Sequence, residues 1–584
     1  MAVITTVFTA DPSALERYRR RIDALAGRVL PSPLRHQHST KVSSKRGYLL
    51  SVLGRPEHVS RRGFSVMAGL LASADTDRWW QIGSDAPDGS FCMVRSGDTE
   101  MEVLSDFSGS RTIWYVHLPC GGVGVSTAFE MLVGLLGDFQ RDDRSLGWFL
   151  SSGTCGPRRS WDRRIKPLGP NARLYARRDG DAIVTREETL PEPIPVLGSV
   201  DQAQLSAALD DAFAGLDFGD KHWIVALSGG YDSRAILHGL RDVKNLVCVT
   251  WTDGGDHIYP GSDADIARQL ARVDGREHVI LNIQRPTSAA SLDEAARRFV
   301  RYSDGRIDNL LAYVDGMKIW DELTQWDGAG LLRGDELFGS TLAVNEKQIL
   351  QNMRLVSFRE YAKDDVQQSL VSRFGHETPG GLQRRPGEST SAWRLRLRAD
   401  FELPTIYAAL NGVRNRFVDN VCPLLMRRLV TVSRSISPEG SDNKSLYKKV
   451  VRRMYEDVPF ATHRSIVSKP GFLAMAESRE LLVDYLQSEH ARSLLGHTTA
   501  HHASRRLNAT KTASNNDKLV TGSPISAMLP AWVRQLKQRV APPPKINLGT
   551  LSLRSYLSAV VEQEFTETAA IARRDGASVE SISA

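Results

Sequence analysis

The stretch from Trp223 to Arg234, Trp-Ile-Val-Ala-Leu-Ser-Gly-Gly-Tyr-Asp-Ser-Arg, narrows what this chain can fold into more than any other. Its apolar half reads as a short buried strand, and the Ser-Gly-Gly turn leads straight into a helix start. Such a junction is an anion trap. Two glycines let the backbone approach a polyphosphate, N–H groups of the turn and helix start face the anion, and hydroxyls of Ser228 and Ser233 add hydrogen bonds. Asp232 would repel the same phosphates unless a cation stood between them, so its carboxylate implies bound Mg²⁺. The Walker pattern is a different one, since no Gly-Lys-Ser/Thr ending is present.

The rhythm around this junction sets the fold class. Runs at 224–227, 246–251, 278–283 and 330–333 read as buried strands, while Ser262-Asp-Ala-Asp265 resembles a capping box ahead of Ile266, Leu270 and Val273 at helical spacing. Helical patterns also cover 292–302 and 310–323. Strands alternating with helices imply a parallel sheet, which binds ligands at the carboxyl ends of its strands. Before about residue 190 the pattern is different: apolar segments at 47–53, 78–82, 91–95, 100–104 and 112–116, separated by turn signals, predict a layered β-rich unit. Prolines 191, 193 and 195 mark 179–202 as a linker, and the polar stretches 375–392 and 488–527 read as loops.

A chain of 584 residues needs at least two cores. Its 75 basic and 68 acidic residues leave a net charge of +7, with basic pairs scattered, which points to solvated surface and away from a nucleic-acid face. Five cysteines, odd in number and widely spaced, support neither a disulfide framework nor a zinc site. The N-terminus lacks a signal-like pattern and no run reaches membrane-spanning length, so a cytoplasmic protein is expected.

Arg333-Gly-Asp-Glu-Leu-Phe-Gly339 follows the strand at 330–333, so Asp335 can reach the cleft that holds Asp232. Two carboxylates from different strand ends suit a Mg²⁺-polyphosphate site, and Gly334 would keep the backbone close to the nucleotide. The turn at 228–234 resembles the Ser-Gly-Gly-x-Asp-Ser loop of ATP pyrophosphatases, and the two clusters in this order resemble the asparagine synthetase superfamily. Tyr302-Ser-Asp-Gly-Arg306, Arg414-Asn-Arg-Phe-Val-Asp419, Lys448-Lys-Val-Val-Arg452 and the segment Pro459 to Phe472 extend the likeness; Arg416 stands where that family has proline.

The resemblance implies α/β and α+β architecture: an Ntn-amidotransferase-like β-rich sandwich over 1–190, degenerate because Ala2 replaces the nucleophilic cysteine, then a parallel-sheet ATP-pyrophosphatase synthetase domain over 203–584. It implies ATP and pyrophosphate contacts at Leu227, Ser228, Gly229, Gly230, Asp232, Ser233, Gly334 and Lys469. Asp232 and Asp335 would hold Mg²⁺, and Lys469 would join them as a catalytic residue by offsetting charge on the intermediate or departing pyrophosphate. Lys444, Lys448 and Lys449 compete for that role or form a solvated helix face. Tyr231 reads as packing at the helix start, and Arg234 as a phosphate ligand or an ion-pair residue.

The Asp-Ser-Arg ending resembles lasso-peptide cyclases, whereas Leu332 stands where β-lactam synthetases carry a tyrosine. The expected reaction is therefore macrolactam closure on a precursor peptide: an Asp or Glu side chain is adenylated and the peptide's own N-terminal amine attacks it. Glu336 and Glu402 are possible bases for that amine. A leader-peptide protease and a leader-recognition partner are implied. The alternative is an asparagine-synthetase-like ligase using free ammonia or another small amine. A nucleotide-binding scaffold without activity is disfavoured, because a dead site has no chemical need to keep all of these residues.

Overall fold

Strands that are apolar along nearly their whole length need cover on both faces, and the computed structural model supplies it twice. It describes residues 2–577 apart from 36–37, 56–58, 73–76, 193–194, 220, 254–257, 327–329, 340–344, 467–470 and 510–542. The first part is a stack of two six-stranded antiparallel sheets. One orders Lys166–Pro167, Trp114–Leu118, Gly122–Ser126, Ala2–Phe8, Tyr48–Gly54 and His38–Ser43; the other orders Ala182–Thr189, Ala172–Asp179, Glu100–Ser105, Gly89–Ser96, Ser65–Leu71 and Val59–Arg62. Within Ala2–Phe8, Ile4 and Phe8 face the second sheet, while Val3 and Val7 face helices that include Ala14–Val29. Period-two alternation is hidden in the sequence because both faces are dry.

Two expectations fail in this part. Arg78–Ile82 is a turned segment rather than a strand. Arg95, wholly buried and paired with Glu102 at 2.8 Å, takes up the carbonyls of Trp79, Ser84 and Asp85 at 2.6–2.9 Å and curls the segment over the sheet. The stretch read as a linker contains the edge strand Ala182–Thr189, paired with Ala172–Asp179. Its outer residues, with Val184 and Arg186 exposed and Glu187 and Glu188 half-buried, are those of an edge facing water.

The second part is a five-stranded parallel sheet ordered Glu277–Asn282, Leu246–Thr252, Trp223–Ala226, Gly330–Leu332, Asn420–Val421. All four strands expected here form within a residue or so of the predicted ends. Trp223, Val225 and Leu332 pack on one face, Ile224, Val249 and Leu331 on the other. The chain runs outward from the central Trp223–Ala226 strand in one direction, then returns to lay Gly330–Leu332 on its other side, which makes a switch point between these two strands. The segment 310–323 breaks into a 3₁₀ turn and the helix Lys318–Leu323, with Gly316 at φ +69° between them. Of the stretch 488–527, expected as loop, residues 489–509 form the helices Glu489–Leu495 and His497–Ala509, anchored by Leu494, Leu495, Ala500 and Leu507, while 510–527 lie outside the described residues. The stretch 375–392 holds the short 3₁₀ turn Gly380–Leu382 and the start of the helix Thr390–Leu397.

Buried charge joins the two parts. The helix Leu548–Ala577 crosses back to pack on Ala14–Val29 and Phe129–Leu136, and its Glu564 is 2 % exposed among Arg28, Arg297 at 3.3 Å and Arg301 at 2.9 Å. Asp304 accepts from Trp114 Nε1 at 2.8 Å, and Arg111 pairs with Asp419 at 2.7 Å. Among the described residues no helix is long and apolar enough to cross a membrane. Removing one partner of a buried cluster leaves uncompensated charge, so Glu564→Ala should lower unfolding stability by about 3–5 kcal/mol, read as a shift of the urea midpoint.

Candidate active site

The switch point places a cleft of about 420 Å³ over the carboxyl ends of Trp223–Ala226 and Gly330–Leu332. Leu227, Ser228, Asp232, Ser233, Gly334 and Asp335 line it together with Thr250, Asp263, Arg333, Arg464 and Ser465. The turn is held before any ligand arrives. Ser233 Oγ accepts from the Ser228 N–H at 3.0 Å, sits 2.9 Å from Ser228 Oγ and donates to the Ser228 carbonyl at 3.0 Å. Leu227 is buried, donating its N–H to Val249 and accepting from the Thr250 hydroxyl at 2.7 Å.

The two glycines of the turn have different reasons to be there. A Cβ on Gly229 would meet Ala461 Cβ at 2.4 Å and Ile266 Cβ at 2.9 Å, so this glycine serves packing; its N–H is taken by Asp263 Oδ1 at 3.2 Å. A Cβ on Gly230 would meet nothing nearer than Ser228 Oγ at 3.4 Å, which leaves open space beside the helix Tyr231–Gly239. Gly230 is the N-cap of that helix and no side chain caps it, so the first N–H groups remain for an anion.

Gly334 has a third role. A Cβ there would lie 2.7 Å from Asp232 Cβ and 3.0 Å from the Asp232 carbonyl carbon. The backbone after one strand therefore touches the helix start after its neighbour, and this contact brings Asp335 beside Asp232. The expectation that Gly334 makes room for nucleotide becomes a narrower finding: it makes room for Asp232.

Electrostatics in the cleft are dominated by carboxylates. Burial, followed by the charge of Glu336, raises the Asp232 carboxyl to about 6 against the opposing pull of Lys444. Burial likewise raises Asp263. Asp335 accepts from Cys422 Sγ at 3.4 Å and has Arg333 Nε at 3.8 Å. Glu336 is 4 % exposed, with Lys444 Nζ at 2.8 Å and Arg398 at 3.8 Å. Arg398 also holds Glu402 at 3.0 Å, so both carboxylates named as possible bases are ion-paired. Arg398 to Tyr407 is a π-helix, a rare form common near functional sites.

Lys444 departs from the solvated-face alternative: its ammonium reaches Asp232 and Glu336, while Lys449 is exposed and Lys448 bonds Asn443 Oδ1 at 3.0 Å. Arg234 is neither phosphate ligand nor ion-pair residue. Fully buried, it donates to the carbonyls of Val458 at 2.8 Å and Pro459 at 2.7 Å, with its guanidinium 3.9 Å from the Phe460 ring. Tyr231 stacks on Phe460 at 4.2 Å, as packing requires. Lys469 lies outside the described residues. Sequence reading missed the cleft residues Thr250, Asp263, Arg464 and Ser465 and misjudged Lys444, which pairs with Asp232. Asn443-Lys444 carried one usable signal, an asparagine before a helix start, where left-handed backbone is tolerated.

Asp232 and Asp335 are the residues that could hold a Mg²⁺, with water and phosphate completing its shell. Among the described residues no group of three or more His, Cys, Asp or Glu forms a closed cage. At the junction of the two parts, Ala2 opens its strand beside a small pocket lined by Arg111, Asp304 and Arg416. Cys92 is buried between the sheets and its thiol is pushed up to about 11 by burial, which makes it no substitute nucleophile.

No family model matches the chain, and no curated protein matches it. Among solved structures, that of the allosteric regulatory enzyme of purine biosynthesis covers 49 % of this chain and 81 % of its own at 9 % identity, with a TM-score of 0.22. A glutamine phosphoribosylpyrophosphate amidotransferase from B. subtilis, complexed with ADP and GMP, covers 49 % and 82 % at 9 % identity, with a TM-score of 0.20. Superpositions this loose add nothing to what the topology itself shows.

The close approach at Gly334 gives a direct test. Gly334→Ala should push Asp232 and the helix start away, costing about 1–3 kcal/mol of stability. The loss is read as a shift of the urea midpoint.

Proposed function

We propose that this chain is an ATP-dependent, AMP-forming amide ligase that closes a macrolactam on a linear peptide. In this reading the antiparallel sandwich is a degenerate Ntn-amidotransferase-like unit and the parallel sheet an ATP-pyrophosphatase domain, as in the asparagine synthetase superfamily. The observation that carries it is the meeting of Asp232 and Asp335 at one switch point, beside an uncapped helix start. Carboxylates set against an anion trap make sense where a polyphosphate arrives with its cation.

Mg²⁺, when bound, neutralises phosphate charge and activates the α-phosphorus. The chain's own groups do the rest. The turn and the helix start receive the phosphates, with Ser228 and Ser233 fixing its shape. A side-chain carboxylate of the peptide attacks the α-phosphorus; the new O–P bond forms as the bond to the bridging oxygen breaks, giving acyl-adenylate and pyrophosphate. The peptide's N-terminal amine then attacks the acyl carbon, its proton passes to a base, and AMP leaves. Holding the amine and the activated side chain of one peptide in a single cleft makes the second step unimolecular. Ala2 supports an amine supplied by the substrate, since it provides no thiolate for releasing ammonia from glutamine.

Mass spectrometry of a leaderless core peptide incubated with MgATP should show loss of one water and stoichiometric AMP, with neither product when ATP is omitted. AMP formed only with aspartate and ammonia would overturn the peptide reading. Asp232→Asn should reduce product at least about 100-fold, the size expected when a charge-bearing group of the site is lost. A protonated Asp232 cannot serve as an anionic ligand. Because its carboxyl is raised to about 6, AMP formation should rise as pH increases through 6.

A further inference from the structure

Lys444 reaches the cleft from an unusual backbone. It stands at the N-cap of the helix Ser445–Val451 with φ +57°, directly after Asn443 at φ +51°. Consecutive left-handed residues other than glycine are strained and persist only when their surroundings hold them. The outcome is an ammonium 3.1 and 3.2 Å from the two Asp232 carboxylate oxygens and 2.8 Å from Glu336 Oε1.

These two partners are unlike. Glu336 is fixed from behind, accepting the Phe338 N–H and lying against Arg398, which also binds the Glu336 carbonyl at 2.9 Å. Asp232 is one-third exposed and faces the cleft. Asp232 is also the carboxylate that the reading above assigns to the divalent ion, and both its oxygens are engaged by the ammonium. An ammonium and a divalent cation at those oxygens repel each other in a cleft of low dielectric.

One residue offers a second observation. The Tyr447 hydroxyl, one turn along the same helix, is buried without a hydrogen-bond partner, while its ring stacks on Phe338 at 4.4 Å. Burial, with the fields of Asp232 and Glu336, raises its ionisation well above the usual range. An orphaned buried hydroxyl is costly, so this helix places an unsatisfied polar group beside the Asp232–Lys444–Glu336 cluster.

We propose that Lys444 is a built-in competitor for the divalent ion at Asp232, hinged on Glu336. In the free protein it keeps Asp232 metal-poor. When a polyphosphate arrives with its metal, the ammonium gives up Asp232 and stays on Glu336. Metal and nucleotide therefore load together, and metal alone is held weakly. This inference rests on the ligase reading, and its test separates the two.

The probe is Mn²⁺, followed by the electron paramagnetic resonance signal of the free ion over the full-length protein, with and without a non-hydrolysable ATP analogue. Without nucleotide, Lys444→Met and Lys444→Gln should each bind Mn²⁺ at least about tenfold more tightly than wild type, whereas Lys444→Arg should not. The analogue should tighten Mn²⁺ binding more in wild type than in either neutral variant. Thermal melts establish that the variants are folded, and either neutral variant suffices. Neutral variants that bind Mn²⁺ no better than wild type, while wild type takes up Mn²⁺ with the analogue, would overturn the competitor and leave the ligase reading standing. If wild type and variants alike take up no Mn²⁺ with the analogue, both fall.

Discussion

The contact between the backbone at Gly334 and the helix start at Asp232 is the constraint on which the cleft depends. Parallel neighbours in a sheet place their carboxyl ends side by side, but the loops that leave them usually diverge. Here a residue without a Cβ allows the loop after Gly330–Leu332 to lie against Asp232 and Ser233 at van der Waals distance. Asp335 follows one residue later. Without that approach the two carboxylates would belong to two sites.

Around this contact the protein concentrates charge that it then has to hold. Asp232, Asp335 and Arg333 line the cleft, Lys444 pairs with both Asp232 and Glu336, and Arg398 lies against Glu336 and is held by the Gly339 and Glu336 carbonyls. The same device recurs at the junction of the two parts, where Glu564, Asp304 and Asp419 meet arginines or an indole. Buried ion pairs add little net stability, yet breaking one is costly, so they fix register more than they add energy. The Arg234 clamp on the Val458 and Pro459 carbonyls likewise fixes position, setting the wall against which Gly229 packs.

Several features were legible from the chain alone. The parallel strands declared themselves as short apolar runs, and the turn at 228–230 as a strand-to-helix junction. Other features were not. Arg78–Ile82 looked like a strand because aromatic pairs favour strands, but Arg95 bends it by taking its carbonyls, a contact made across a sheet. The strand Ala182–Thr189 was hidden by the prolines that follow it, and the helices at 489–509 by their polar faces, whose few apolar residues matter only against a neighbouring surface.

The sequence by itself determined that a strand of a parallel sheet would end in a Ser-Gly-Gly turn with a carboxylate at the helix start, because strand period, glycine and helix start are local properties. It also determined that the chain lacks a cysteine after its first methionine. Only the tertiary structure decided which charges share the cleft. Lys444 moved from a supposed surface to the Asp232–Glu336 pair, and Arg234 from a supposed ligand to a buried clamp. Such assignments depend on backbone conformation and on partners more than 200 residues away, and no local pattern encodes them.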